Sequence, residues 1–147
     1  MRSWSESDRG SASIEFIVVG VAIILPIIYI AITVLTLNAA QFASNQAARE
    51  GVRAFVTGTG NSSANQRASI AANQAFTDYG IAGSEPQIAI TCDHISCLTP
   101  GGSVSIEVTT RVPLPFVPRW GSSDLVTMPI TSQATLLVDQ YRQAGAS

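Results

Sequence analysis

Gly10 and Glu15 form the first pair whose types and spacing carry chemistry. Residues 10–16 read Gly-Ser-Ala-Ser-Ile-Glu-Phe, and a long apolar run follows at once. An ionisable side chain at the edge of hydrocarbon is costly, which makes Glu15 a functional candidate. A cut after Gly10 would free an amine at Ser11, cationic near neutral pH, about one helical turn from the Glu15 carboxylate. Opposite charges at low dielectric attract strongly, while one left unpaired is expensive. The competing reading is a Glu15 that snorkels to the headgroup zone and stays solvated.

Cys92 and Cys97, separated by Asp-His-Ile-Ser, are the second candidate group. They fit a short-range disulfide, as expected outside the cytoplasm, which would add roughly 2 kcal/mol. They also fit a metal site completed by His94, although structural zinc wants a fourth ligand and none is evident nearby. A pair of free thiols is the third reading. Asp93, His94 and Glu107 are the acid–base candidates of an exported enzyme, but no nucleophile–base or paired-carboxylate spacing accompanies them. His94, the lone histidine, has no nucleophile in a recognised setting and reads as a loop residue. No cofactor or metal is expected.

These groups need elements to hold them. From Phe16 to Ala48 there is no Asp, Glu, Lys or Arg. Residues 16–37, as a helix, would measure roughly 33 Å, against a hydrocarbon core of ~30 Å. No polar stripe marks it as the core helix of a soluble domain. A secretory signal peptide is the other reading; its apolar core should be ~7–15 residues behind a positive n-region. Here the run is longer, and Arg2 and Arg9 are offset by Glu6 and Asp8. Pro26 predicts a bend, since it removes a backbone donor.

The chain has 147 residues and a net charge of −2, and every basic residue is Arg. With no basic cluster, the footprint of a nucleic-acid binder is missing. Three parts follow: a polar leader over 1–10, a transmembrane helix over 11–37, and an exported domain over 38–147. The helix is expected to continue to about Phe55, with Ala39, Phe42, Ala43, Ala47, Val52 and Phe55 as its apolar side. Residues 57–63 break it; the triplet from Asn61 matches a glycosylation acceptor. A second helix is predicted over about 63–79, with Ile70, Ala71, Gln74, Ala75 and Phe76 near one face, ended by Gly80 and Gly83.

Beyond it the pattern switches to period two. Ile88, Ile90 and Cys92 share one face of a first strand, and Val104, Ile106, Val108 and Val112 one face of a second. Ile130, Ala134, Leu136 and Val138 line a third. Thr99-Pro-Gly-Gly102 suits a turn. Pro113, Pro115 and Pro118 end the second strand; Phe116 and Trp120 are expected to cap the core, with a surface contact patch as the other reading. Residues 143–147 read as a frayed tail. The fold class is α+β: a long N-terminal membrane helix, a second helix, and an antiparallel sheet of about three strands.

Taken together these residues resemble type IV prepilin-like proteins, and among them the TadE-like pseudopilins of Tad (Flp-type) pilus systems. A short charged leader ends at Gly10, and Glu15 and Phe16 stand at the fifth and sixth positions after it. The apolar helix runs into Gln46-Ala-Ala-Arg-Glu-Gly-Val-Arg53, which looks like the Ala-Arg-Glu-Gly-Ala-Arg stretch of that family. The likeness is strongest over residues 9–55. Pro26 departs from it, lying further from the glutamate than the proline of many members. The resemblance implies a non-enzymatic pilus structural or assembly subunit, cut between Gly10 and Ser11 by a prepilin peptidase. Glu15 would pair with the Ser11 amine, its own or a neighbour's. Implied partners are the peptidase, other pilins and pseudopilins, Tad inner-membrane assembly proteins and membrane lipid. The implied location is the inner membrane, single-pass, N-terminus cytoplasmic. An uncut membrane-anchored surface domain that binds a protein or ligand is the alternative.

Overall fold

A computed structural model of the chain describes residues 8–81, 86–114 and 127–142, with side chains from Ser13 onward. Helix α1 spans Asp8–Val56, 49 residues, and contains Pro26 without interruption. It begins before Gly10 because one glycine costs a helix only about 1 kcal/mol. Contacts divide the chain into two units, Met1–Leu35 and Thr36–Ser147, and α1 contributes to both.

Among the described residues, nothing covers the apolar side chains of the first part of α1. Every large aliphatic or aromatic residue from Ile14 to Leu25 is exposed, Phe16 by 80%. In water that surface would be strongly unfavourable at ~25 cal/mol per Å². The helix is long and apolar enough to cross a membrane.

The second unit is α+β. Helix α2 covers Asn61–Asp78, followed by strands β1 (Gln87–Cys92), β2 (Ser103–Pro113) and β3 (Thr127–Leu137). The sheet order is β1-β2-β3. Both ladders are antiparallel and unbroken: Gln87 faces Thr109 and Cys92 faces Val104, while Ser103 faces Leu137 and Pro113 faces Thr127. The period-two reading of β2 holds, with Val104, Ile106, Val108 and Val112 buried. They meet α1 through a stripe of small residues at positions 40, 43, 44, 47, 48, 51 and 52, ending on Phe55. That spacing is one face of a 3.6-residue helix. Glu107, Thr109 and Arg111 alternate with the buried row and form the outer face.

Small side chains set the distance between the helices. A Cβ on Gly51 would stand 3.6 Å from the Ala68 carbonyl and 3.7 Å from Ile106 Cδ1. This close approach corrects the expected face of α2. Ala64, Ala68, Ala72, Ala75 and Phe76 are buried, whereas Ile70 and Gln74 are exposed. Ile70 lies about 200° around α2 from Ala68, whose carbonyl faces Gly51 of α1. Phe42 also faces solvent, since Ala43 and Ser44 occupy the inward positions beside it. On β3 the inward row is Ile130, Ser132 and Ala134; Leu136, expected inside, is 40% exposed, and Val138 is buried just past the strand end. Ser132 enters the interior because Gln41 Nε2 donates to its Oγ at 3.0 Å, which satisfies a buried hydroxyl. Gly83, Pro115, Phe116, Pro118, Trp120 and the 143–147 tail lie outside the described residues.

Candidate functional site

The Gly10–Glu15 group lies in the first turns of α1. Glu15 is exposed, so its carboxylate is accessible to a partner. Gly10 and Ser11 are helical in backbone, and a peptidase acting between them must first unwind the terminal turn. Terminal turns fray at little cost, and glycine there lowers it further.

Further along, α1 arranges its few unusual residues on one side. Between residues 15 and 35 the polar side chains are Glu15, Tyr29 and Thr33. At 3.6 residues per turn they and Pro26 fall within an arc of about 60°. Thr33 Oγ1 donates to the Tyr29 carbonyl at 2.8 Å, so that hydroxyl is satisfied inside the helix. The remaining circumference is almost wholly Ile, Val, Leu and Ala.

The 46–53 stretch has a packing role. Ala47, Ala48, Gly51 and Val52 face inward, while Arg49 and Arg53 are exposed. Gln46 Nε2 donates to Glu50 Oε1 at 3.0 Å along the outer surface. The alternation of small and charged residues is therefore the imprint of a helix lying on α2 and β2.

The sulfurs of Cys92 and Cys97 stand at disulfide distance, as the first of the three readings of that pair expects. The bridge closes the loop leaving β1. Asp93 fixes the other side: its N–H donates to the Ser103 carbonyl at 3.3 Å, and its Oδ1 accepts from the Ser103 N–H at 2.9 Å. That backbone N–H, foremost, holds the Asp93 carboxyl below its ordinary value near 3.8. His94 Nε2 lies 3.9 Å from Asp93 Oδ2, both well exposed. Gly102 packs closely here: a Cβ would come within 2.9 Å of His94 Cδ2 and 3.1 Å of Asp93 Oδ1 and of the Thr99 carbonyl, so a larger residue would displace the exposed His94 ring. Gly101 takes a positive φ of 78°, as the predicted turn needs.

Asp93 and His94 adjoin Ser103, whereas Glu107 stands four residues along β2, about 13 Å away at ~3.3 Å per residue. The enzyme candidates are thus not brought together. No cluster of metal-ligating side chains occurs among the described residues.

Arg142 escaped the sequence reading. Its Nη1 donates to the Val56 carbonyl at 2.7 Å, and its Nη2 donates to the Gly58 carbonyl. It satisfies a terminal carbonyl of α1 and places a cation at the negative end of the helix dipole. A lone arginine far along the chain gives no local signal of this contact.

Comparison with known proteins gives no match to a family model, a curated protein or a solved structure.

Proposed function

We propose that this chain is a structural or assembly subunit, a pseudopilin or minor pilin of a Tad/Flp-type pilus, processed by a prepilin peptidase between Gly10 and Ser11. The observation that carries this reading is the exposed Glu15, placed five residues after Gly10 on a helix whose next twenty residues present only apolar surface and a narrow polar arc. A carboxylate there is suited to neutralising an amine in a low-dielectric setting. Cleavage at Gly10 creates that amine. The likeness of Gln46–Arg53 to the Ala-Arg-Glu-Gly-Ala-Arg stretch of TadE-like pseudopilins supports the reading as well.

In this reading the protein is not an enzyme. It is single-pass in the inner membrane with a cytoplasmic N-terminus. The second unit lies outside, where the Cys92–Cys97 bridge is stable. The peptidase, other pilins, Tad assembly proteins and lipid are its partners.

The test is a pair of variants expressed with the pilus machinery. Gly10→Leu is expected to leave the chain at its full-length electrophoretic mobility. Glu15→Ala is expected to be shortened normally and then to be lost from assemblies containing other pilins. Normal shortening of Gly10→Leu, or normal assembly of Glu15→Ala, would defeat the reading.

A further inference from the structure

We propose that copies of this chain join side by side through their sheet edges, β3 of one copy pairing in parallel with β1 of the next. The proposal rests on the reading of α1 as a membrane anchor. Among the described residues no strand pairs with the outer side of β1 or β3.

Backbone directions follow from the ladder ends. The Val138 N–H donates to the Gly102 carbonyl at 2.8 Å, in line with the β2–β3 register. Even-numbered β3 residues therefore turn their backbone groups to β2, and Thr131, Gln133 and Thr135 turn theirs outward. Asp93 N–H bonded to the Ser103 carbonyl continues the β1–β2 register in the same way. Ile88 and Ile90 thus present their backbone groups on the outer side of β1.

Exposed edges of this kind are normally guarded by charge, bulges or proline. Here β1 reads Gln-Ile-Ala-Ile-Thr-Cys and β3 reads Thr-Met-Pro-Ile-Thr-Ser-Gln-Ala-Thr-Leu-Leu, with no charged side chain in either. Both registers are free of bulges, and Pro129 alone interrupts the donors of β3. The inner row of β3 is also incompletely covered: Met128 is 49% exposed and Leu136 40%. In the register set by the outer face, Ile88 and Ile90 of a neighbouring β1 would lie beside Ser132 and Ala134 and Cys92 beside Leu136, so the neighbour covers Leu136 but not Met128. On the outer face Gln87, Ala89 and Thr91 would meet Thr131, Gln133 and Thr135, uncharged and rich in hydrogen-bonding groups.

Direction selects the occupant. Since β2 is antiparallel to both neighbours, β1 and β3 run the same way. A copy displaced sideways therefore sets its β1 parallel to β3, and α1 keeps one direction in every copy. Chains anchored through one membrane require that. Pairing of β3 with β3 would instead place a two-fold axis across the sheet and reverse α1 between copies. The β3–β1 contact is heterologous, so it can repeat from copy to copy, and confinement to a membrane raises the effective concentration of the partners.

The test uses the full-length chain in membranes, with a photo-crosslinking benzophenone amino acid replacing Thr135. The expected product is a dimer whose cross-linked peptide lies within residues 87–92 of the second copy. Ala89→Lys in the same background is expected to reduce that product about tenfold, with the Cys92–Cys97 bond still formed as a check on folding. A cross-link within residues 127–137, a monomer only, or an unchanged yield with Ala89→Lys would overturn the proposal. N-terminal sequencing of the same material separates the two ideas. A chain starting at Ser11 without the cross-link removes the edge pairing alone; the cross-link on an uncut chain removes the pilin reading alone.

Discussion

The two stretches of α1, residues 13–35 and 36–56, share one continuous backbone and face different surroundings. The first exposes Ile, Val and Leu around nearly its whole circumference and confines Glu15, Pro26, Tyr29 and Thr33 to one arc. The second hides alanine, serine and glycine on one side and exposes Asn38, Asn45, Arg49 and Arg53 on the other. A helix in water buries its apolar stripe against a neighbour; a helix in lipid leaves it outward and turns polar groups to a partner. Hydropathy alone therefore does not say where a helix is buried, and side-chain volume decides the packed half.

The sharpest way to break this comparison is to truncate one phenylalanine in each half. Phe55→Ala removes a side chain 1% exposed and is expected to destabilise the second unit by about 3–5 kcal/mol. Phe16→Ala is expected to leave the same unfolding midpoint unchanged. Chemical denaturation in detergent, followed by circular dichroism, measures both. Equal effects would mean the halves are not distinct.

Glycines sharpen the picture next. A Cβ at Gly58 would stand 2.7 Å from Ala64 Cβ and 2.9 Å from its Cα, so Gly58→Ala is expected to cost about 1–3 kcal/mol. Gly51→Ala meets only ordinary contacts and is expected to be neutral or stabilising by up to about 1 kcal/mol. Thermal unfolding of the two variants side by side reads the difference.

Removing the Cys92–Cys97 bridge by a double Cys→Ser change is expected to cost about 2 kcal/mol, from the short closed loop. Protease susceptibility within residues 93–102 should rise, while α1 is unaffected.

The smallest effect is pH-dependent. Asp93 has its folded pKa lowered by the Ser103 N–H, so the carboxylate favours the folded loop above its ordinary value near 3.8. That contribution is lost as pH falls through the lower folded value. Amide exchange at Ser103 is expected to gain protection between acid and pH 5, and Asp93→Asn should flatten that profile.

Much of this architecture is legible in the sequence because its signals are periodic. The unbroken apolar run, the inner row of β2 and the turn at Thr99–Gly102 each declare themselves locally. The face of α2 does not: Ile70 outranks Ala68 in hydropathy, yet Ala68 is buried and Ile70 is 62% exposed, because the neighbour that selects the face, Gly51 on α1, is distant in sequence. Ser132 is hidden from pattern reading because its burial depends on Gln41, ninety-one positions away. Arg142 is hidden for the same reason, since its carbonyl partners sit at the end of α1. Of the candidate site, the spacing of Gly10 and Glu15 is visible in the sequence, while the arc joining Glu15 to Tyr29 and Thr33 emerges only once the residues are wound on a helix.

The most direct test of the central claim is the N-terminal sequence of the protein recovered from membranes that carry the pilus machinery. The account predicts a mature chain beginning at Ser11, with its amine available to Glu15. A chain that still begins at Met1, or one that begins near Gln41 after removal of the apolar run, would contradict it.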